Sequence, residues 1–147
     1  DPRILDRYGT CLVKLDNVDE GLKHLHKALE LDPIPQGAAT SCSRYDALTI
    51  GYFCKEDFEK CISWGEKIQY MGPSTWLVIL YAISKNDDIS KVKEHNIYKK
   101  YENDFKETNW EKTINNMHFR PEDTKHTNLL EFSNKMFPNI KIVEKTA

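Results

Sequence analysis

Leu5-Asp6-Arg7-Tyr8-Gly9-Thr10-Cys11-Leu12, carried on by Gly21-Leu22-Lys23-His24-Leu25, Ala28 and Pro33, is the stretch that decides the fold. Val18, Leu22, Leu25 and Leu29 recur at intervals of three and four, which places them on one face of a helix. Residues 14–17 form a short polar break of the length that joins antiparallel helices. The small residues then have a mechanical meaning. The distance between packed helices is set by the side chains at their contact, so Gly9 and Gly21, with Ala28, let the pair nestle. Leu5, Tyr8, Leu12, Leu25 and Leu29 are expected to fill the seam. Pro33 cannot continue a helix interior and ends the pair, which spans about residues 3–33.

The pattern extends outward in weaker copies. Over residues 43–73, Tyr45, Leu48 and Tyr52 supply a first helix, and Phe58, Cys61, Ile62 and Ile68 a second. Cys61 stands where a small residue is wanted, whereas Thr49 replaces a glycine and Gly65 a large residue. Pro73 closes this unit as Pro33 closes the first, and the extra residues fall at 34–43, a connection or an extended helix start. A third unit over 75–103 has Trp76, Ile79, Leu80 and Ile83 on its first helix, and Asn86-Asp87-Asp88 at its turn. Ile89, Val92 and Tyr98 are expected together on its second helix. In the segment 108–137, Thr108-x-x-Glu111 reads as a capping box for a helix bearing Trp110, Ile114 and Met117. Arg120-Pro121-Glu122-Asp123 reads as the start of another, with Leu129, Leu130, Phe132, Met136 and Phe137 as its apolar face and Pro138 as its stop. Residues 139–147 form a tail, extended or disordered.

The order of bulky, large-plus-Gly, bulky, small, large, small and Pro resembles the tetratricopeptide repeat (TPR), whose period is about 34 residues. That resemblance implies an all-α fold over residues 1–138, an α-solenoid of about three antiparallel helix pairs closed by C-terminal capping helices. Three stretches are similar to the C-terminal repeat region of bacterial multidomain signalling proteins, which join such repeats to a class III adenylate/guanylate cyclase domain or a winged-helix transcription regulator. They are Leu29-Glu30-Leu31-Asp32-Pro33-Ile34-Pro35, Gly51-Tyr52-Phe53 through Asp57-Phe58-Glu59-Lys60-Cys61-Ile62, and Phe119-Arg120-Pro121-Glu122-Asp123 through Leu129-Leu130-Glu131-Phe132. Lys135-Met136-Phe137 depart from the Gly-Leu usual near the closing proline. A first residue of Asp1 rather than Met fits a piece of a longer protein.

Composition bounds the function classes. The 21 Lys and Arg nearly balance 23 Asp and Glu, which argues against a strongly cationic nucleic-acid or membrane-surface domain. Cys11, Cys42, Cys54 and Cys61 include no Cys-x-x-Cys pair, and a reduced, cytoplasmic setting is expected. The longest apolar run, residues 76–83, is too short to span a bilayer. His24 and His26, two apart on a helix, point to different faces and cannot share a metal there. No phosphate loop or hydrolase motif occurs, so neither a catalytic residue nor a cofactor or metal is expected.

What remains is a groove lined by the first helix of each pair. Helical counting assigns it Arg3, Asp6, Thr10 and Lys14 from the first pair, Asp46, Ile50 and Phe53 from the second, and Leu77 and Tyr81 from the third. An acid at Asp6 would repel a C-terminal carboxylate, which argues against chaperone-tail binding. The expected partner is a protein or peptide segment, or a domain of the parent chain. Self-association as a homodimer is the alternative, and a small thiol or metal site built from scattered Cys and His is a third reading.

Overall fold

Helix starts in this chain are written by short polar side chains. In the computed structural model, which describes residues 1–33, 38–117, 119 and 123–138 (for 38–43 the backbone alone), Asp1, Asp57, Asp88, Asn109 and Asp123 each accept a backbone N–H two or three residues on. Such caps satisfy one of the donors a helix start leaves open, at a gain of about 1 kcal/mol each. They open α1 (Pro2–Lys14), α4 (Phe58–Gly65), α6 (Ile89–Glu94), α8 (Trp110–Asn115) and α9 (Thr124–Met136). The other helices are α2 (Val18–Leu31), α3 (Ala38–Cys54), α5 (Pro73–Ser84) and α7 (Asn96–Phe105). The described residues are all-helical, with no strand among them.

The α1–α2 and α3–α4 connections are the same turn. Leu15, Asp16 and Asn17 donate backbone N–H groups to the carbonyls of Cys11, Val13 and Leu12, and Lys55, Glu56 and Asp57 donate to Gly51, Phe53 and Tyr52. The central residue is left-handed in both, Asp16 at φ 65° and Glu56 at φ 60°. The 40-residue offset between Pro33 and Pro73 is therefore repeated in backbone geometry.

Packing follows the small residues. A Cβ placed on Gly9 would lie 2.8 Å from Leu25 Cγ and 2.9 Å from the Gly21 carbonyl oxygen, and one on Gly21 2.8 Å from the Gly9 oxygen. The α1–α2 contact is thus backbone against backbone. α3 packs on both of these helices and on α4 and α5. α5 in turn is covered by α3 and α4 on one side and by α6, α7, α8 and α9 on the other, so every residue from Thr75 to Ile83 is buried. A helix apolar all round belongs in such a place. Cys61 is fully buried, and the Gly65 position is held open for Ile79 of α5.

Several expectations are corrected. Tyr8 is exposed, its ring meeting His24 edge-on at 4.8 Å, and Val13, not among the expected seam residues, is buried against Gly21. Ile68 lies beyond the end of α4, in the turn that follows, although it is buried. The second helix of the third unit is broken at His95, whose backbone is extended (ψ 144°), so Ile89 and Val92 belong to α6 and Tyr98 to α7. Asn109, not Thr108, caps α8. α3 begins at Ala38, ahead of the expected residue 43, and absorbs part of the surplus at 34–43 as an extended helix start. Residues 34–37 and 120–122 lie outside the described residues, as does the tail 139–147. α9 starts at Thr124 under the Asp123 cap.

Candidate interaction groove

Helical spacing fixes which side of α1 carries what. Asp6, Gly9 and Val13 face inward and are buried, while Thr10 and Lys14 point along the neighbouring edge. On α3, Asp46 and Ile50, four apart, occupy the matching edge, beside the start of α5 at Pro73, Ser74 and Thr75. These groups meet Thr113, Asn116 and Met117 of α8 and its end around a hollow of about 450 Å³. A second hollow of about 540 Å³ adjoins it, sharing Val13, Lys14, Ile50 and Met117 and adding Cys11, Leu15 and Asp16 at the end of α1, with Cys54, Phe119, Asp123 and Lys125 opposite. The result is a continuous open groove between α1 and α3 on one bank and the C-terminal segment on the other. Its floor is apolar and its rim carries Lys14, Asp46, Asp123 and Lys125, a lining suited to a peptide with an apolar anchor.

Four of the nine groove residues expected from sequence, Thr10, Lys14, Asp46 and Ile50, thus converge. The other five do not line it. Arg3 is exposed and paired with Asp1 at 3.2 Å. Asp6 is buried in an ion pair with Arg44, so the acid expected to repel a carboxylate is neutralised and withdrawn from the surface. Phe53, Leu77 and Tyr81 are core residues: Tyr81 stands edge-on to Phe53 at 5.7 Å and to Phe132 of α9 at 5.6 Å. The covering of α5 by α9 is what takes Leu77 and Tyr81 out of the groove. Met117 and Phe119 join the groove without having been assigned to it, because the C-terminal segment folds back across the first helices, and Thr75 joins it from the start of α5.

The remaining chemistry-bearing side chains have ordinary tasks. Burial pushes the thiol of Cys54 up to about 11 and that of Cys61 to about 12, so both are protonated, poor nucleophiles at neutral pH. His24 meets Tyr8, while His26 on another face places Nε2 2.7 Å from the Tyr52 hydroxyl, its pKa lowered chiefly by burial. His95 caps α7, and His126 bonds to Asn115 at 2.8 Å. Among the described residues, no three His, Cys, Asp or Glu side chains are grouped to hold a metal ion, and no helix is long and apolar enough to cross a membrane.

The chain matches no protein-family model, no curated protein and no solved structure.

Within the groove, Asp46 is the residue held at a cost. Thr75 donates its hydroxyl to Oδ1 at 2.8 Å, yet desolvation outweighs this bond and the field of Lys14, and the carboxyl pKa is raised above 3.8. A folded-state pKa above the unfolded one means the folded chain binds more protons just above pH 3.8, so stability falls as pH rises through that window. At neutral pH the penalty is fully present. Asp46→Asn keeps an oxygen for Thr75 and removes the charge. Its melting temperature at neutral pH is expected to exceed that of the parent chain, with the gain shrinking as pH drops to about 4. Paired thermal melts at the two pH values measure this, and equal melting temperatures at neutral pH would refute it.

Proposed function

We propose that the chain is a non-catalytic interaction module, a TPR-like stack whose groove holds a peptide segment of another protein or of its parent chain. The observation that carries this reading is the convergence of Thr10, Lys14, Asp46 and Ile50 with Met117 and Phe119 around one apolar-floored, charge-rimmed groove. The recurrent turn and the successive contacts α1 to α3 to α5 support a stacked arrangement of helix pairs. Asp46, an acid retained in the groove against its own desolvation, supports a role in binding rather than in stability. The resemblance to cyclase-linked and regulator-linked repeats points to regulation or localisation of such a domain as the setting.

Panning a random-peptide display library against the intact chain tests the proposal. Selected peptides are expected to combine a large apolar side chain with an acid that meets Lys14. Lys14→Glu and Met117→Ser should each weaken them by roughly tenfold or more, since a few central residues dominate such interfaces. Both variants should melt close to the parent. Peptides that bind equally well to both variants would remove the groove from the argument.

A further inference from the structure

The groove opens beside the last of the described residues. Phe137, which follows α9, stacks on Trp110 of α8 with ring centroids 5.0 Å apart, and its ring lies 5.8 Å from that of Trp76 on α5. Both tryptophans stand within one helical turn of the groove lining. Trp76 directly follows Pro73, Ser74 and Thr75, and Thr113 lies three residues beyond Trp110, about 5 Å along the helix. The chain beyond Pro138 therefore sets out from the Pro73–Thr113 end of the groove. Trp110 is 5% exposed, and its Nε1–H has no acceptor among the described residues. A buried donor is ordinarily paired, and the segment that follows Pro138 is tied covalently to the very ring stacked on this indole.

Reach and sequence both suit that segment to the groove. Nine residues, 139–147, extend to about 30 Å, against roughly 6 Å from Thr113 to Met117 at helical rise, so they can pass the first hollow and enter the second. Alternate residues of an extended segment share a side, which sets Ile140, Ile142 and Glu144 against Lys141, Val143 and Lys145. Entering from Pro73, such a segment meets Asp46 first, then Ile50, Met117 and Lys14, which both hollows share, and last Asp16 and Asp123. Two isoleucines on the apolar floor bring Glu144 to the ammonium of Lys14. Lys141 is then left for Asp46 at the rim, and Lys145 for Asp16 and Asp123. Each charge of the segment meets its opposite in chain order.

We infer that residues 139–147 occupy the groove of their own chain as an extended segment, so that a partner must displace them. The inference rests on the groove being a peptide site and names its resident ligand. A tethered occupant lowers the apparent affinity of a competing partner without altering the partner's own contacts.

The full chain, with isotope-labelled methionine methyls followed by NMR, reports occupancy through Met117, and the buried Met71 serves as reference. Ile140→Glu combined with Ile142→Glu is expected to shift the Met117 signal and leave Met71 in place, and Glu144→Lys to shift it the same way. Val143→Glu, on the outward side, should move neither signal. A synthetic peptide of residues 139–147, added to the double variant at about millimolar concentration, should return Met117 to its parent position, since a short tether corresponds to a millimolar effective concentration. Peptides selected on the groove should bind the double variant roughly tenfold more tightly than the parent. An unmoved Met117 signal, an equal shift from Val143→Glu, or no return with the peptide would each overturn the inference. Selected peptides that bind parent and double variant equally, yet are lost on Met117→Ser, would overturn it and leave the groove a peptide site. Peptides indifferent to Met117→Ser would remove both readings. A parent Met117 signal that moves to the double variant's position on dilution would give the groove to the segment of a second copy, which overturns it as well.

Discussion

Gly21→Ala is expected to destabilise the fold by about 2 kcal/mol or more, although alanine is the better helix former. A Cβ at this position would lie 2.8 Å from the carbonyl oxygen of Gly9 and 2.9 Å from the backbone nitrogen of Val13, with Val13 Cγ2 at 2.7 Å. A side chain could swing aside, but backbone cannot retreat unless α1 and α2 move apart. That movement would open the packing of Val13, Leu22 and Leu25 in the N-terminal core. The gain in helix propensity, about 1 kcal/mol, offsets only part of such overpacking. Gly9→Ala should behave alike, because it meets the Gly21 oxygen from the other side. Gly72→Ser supplies the control. Nothing lies within 4 Å of a Cβ there and its φ is −82°, so serine should be tolerated within about 0.5 kcal/mol and can add the missing cap of α5. Urea denaturation followed by circular dichroism reads all three. A Gly21→Ala midpoint equal to that of the parent would show that the two helices do not approach through their backbones.

The glycines also mark where sequence reading works and where it stops. Periodicity and small residues are local, so α1, its turn and α2 could be read directly, and Gly9 and Gly21 could be named as the point of close approach. Tyr8 escaped because helical phase does not say how far a side chain reaches over its partner: its ring meets His24 of α2 and stays exposed, whereas Val13 lies against Gly21 and joins the core with Leu22 and Leu25. α5 escaped for a different reason. The run 76–83, weighed against a bilayer span, is instead the mark of a helix covered on every side, and only tertiary packing distinguishes four apolar faces from two. Leu77 and Tyr81 were lost to the groove by that route. The break between α6 and α7 rests on one residue, His95, whose extended backbone lets its own ring accept the Ile97 N–H. Nothing in the spacing of Val92 and Tyr98 announces it. Of the groove, the half on α1 and α3 was legible because helix phase fixes it, whereas Met117 and Phe119 arrive through a long-range return of the chain.

Arg44 had no local signal either, and its removal is expected to have the largest effect of any single substitution considered. The guanidinium is fully buried and grips Asp6 with both prongs, Nε to Oδ1 at 2.7 Å and Nη2 to Oδ2 at 2.8 Å. Its third nitrogen donates to the Asp32 carbonyl at 2.6 Å, at the C-terminal end of α2, and the Asp32 carboxylate lies 3.8 Å away. Hydrogen bonding to Asp6 raises the arginine pKa further, so it is charged at every working pH. One side chain therefore ties α3 to α1 and to the end of α2. Arg44→Met keeps the volume but leaves the Asp6 carboxylate buried without its counter-ion, which should cost about 3–5 kcal/mol. Arg44→Lys should recover only part, since an ammonium cannot reproduce the planar fork. The decisive comparison is Asp6→Leu combined with Arg44→Met. If the loss comes from stranding a charge, the double variant should be clearly more stable than either single one, because both charges are then gone and the space is filled. Denaturation midpoints of the four proteins complete the cycle. Additive losses would mean that the pair contributes no coupling, and a near-parental Arg44→Met would mean that Asp6 reaches water and the α1–α3 junction is not closed as described.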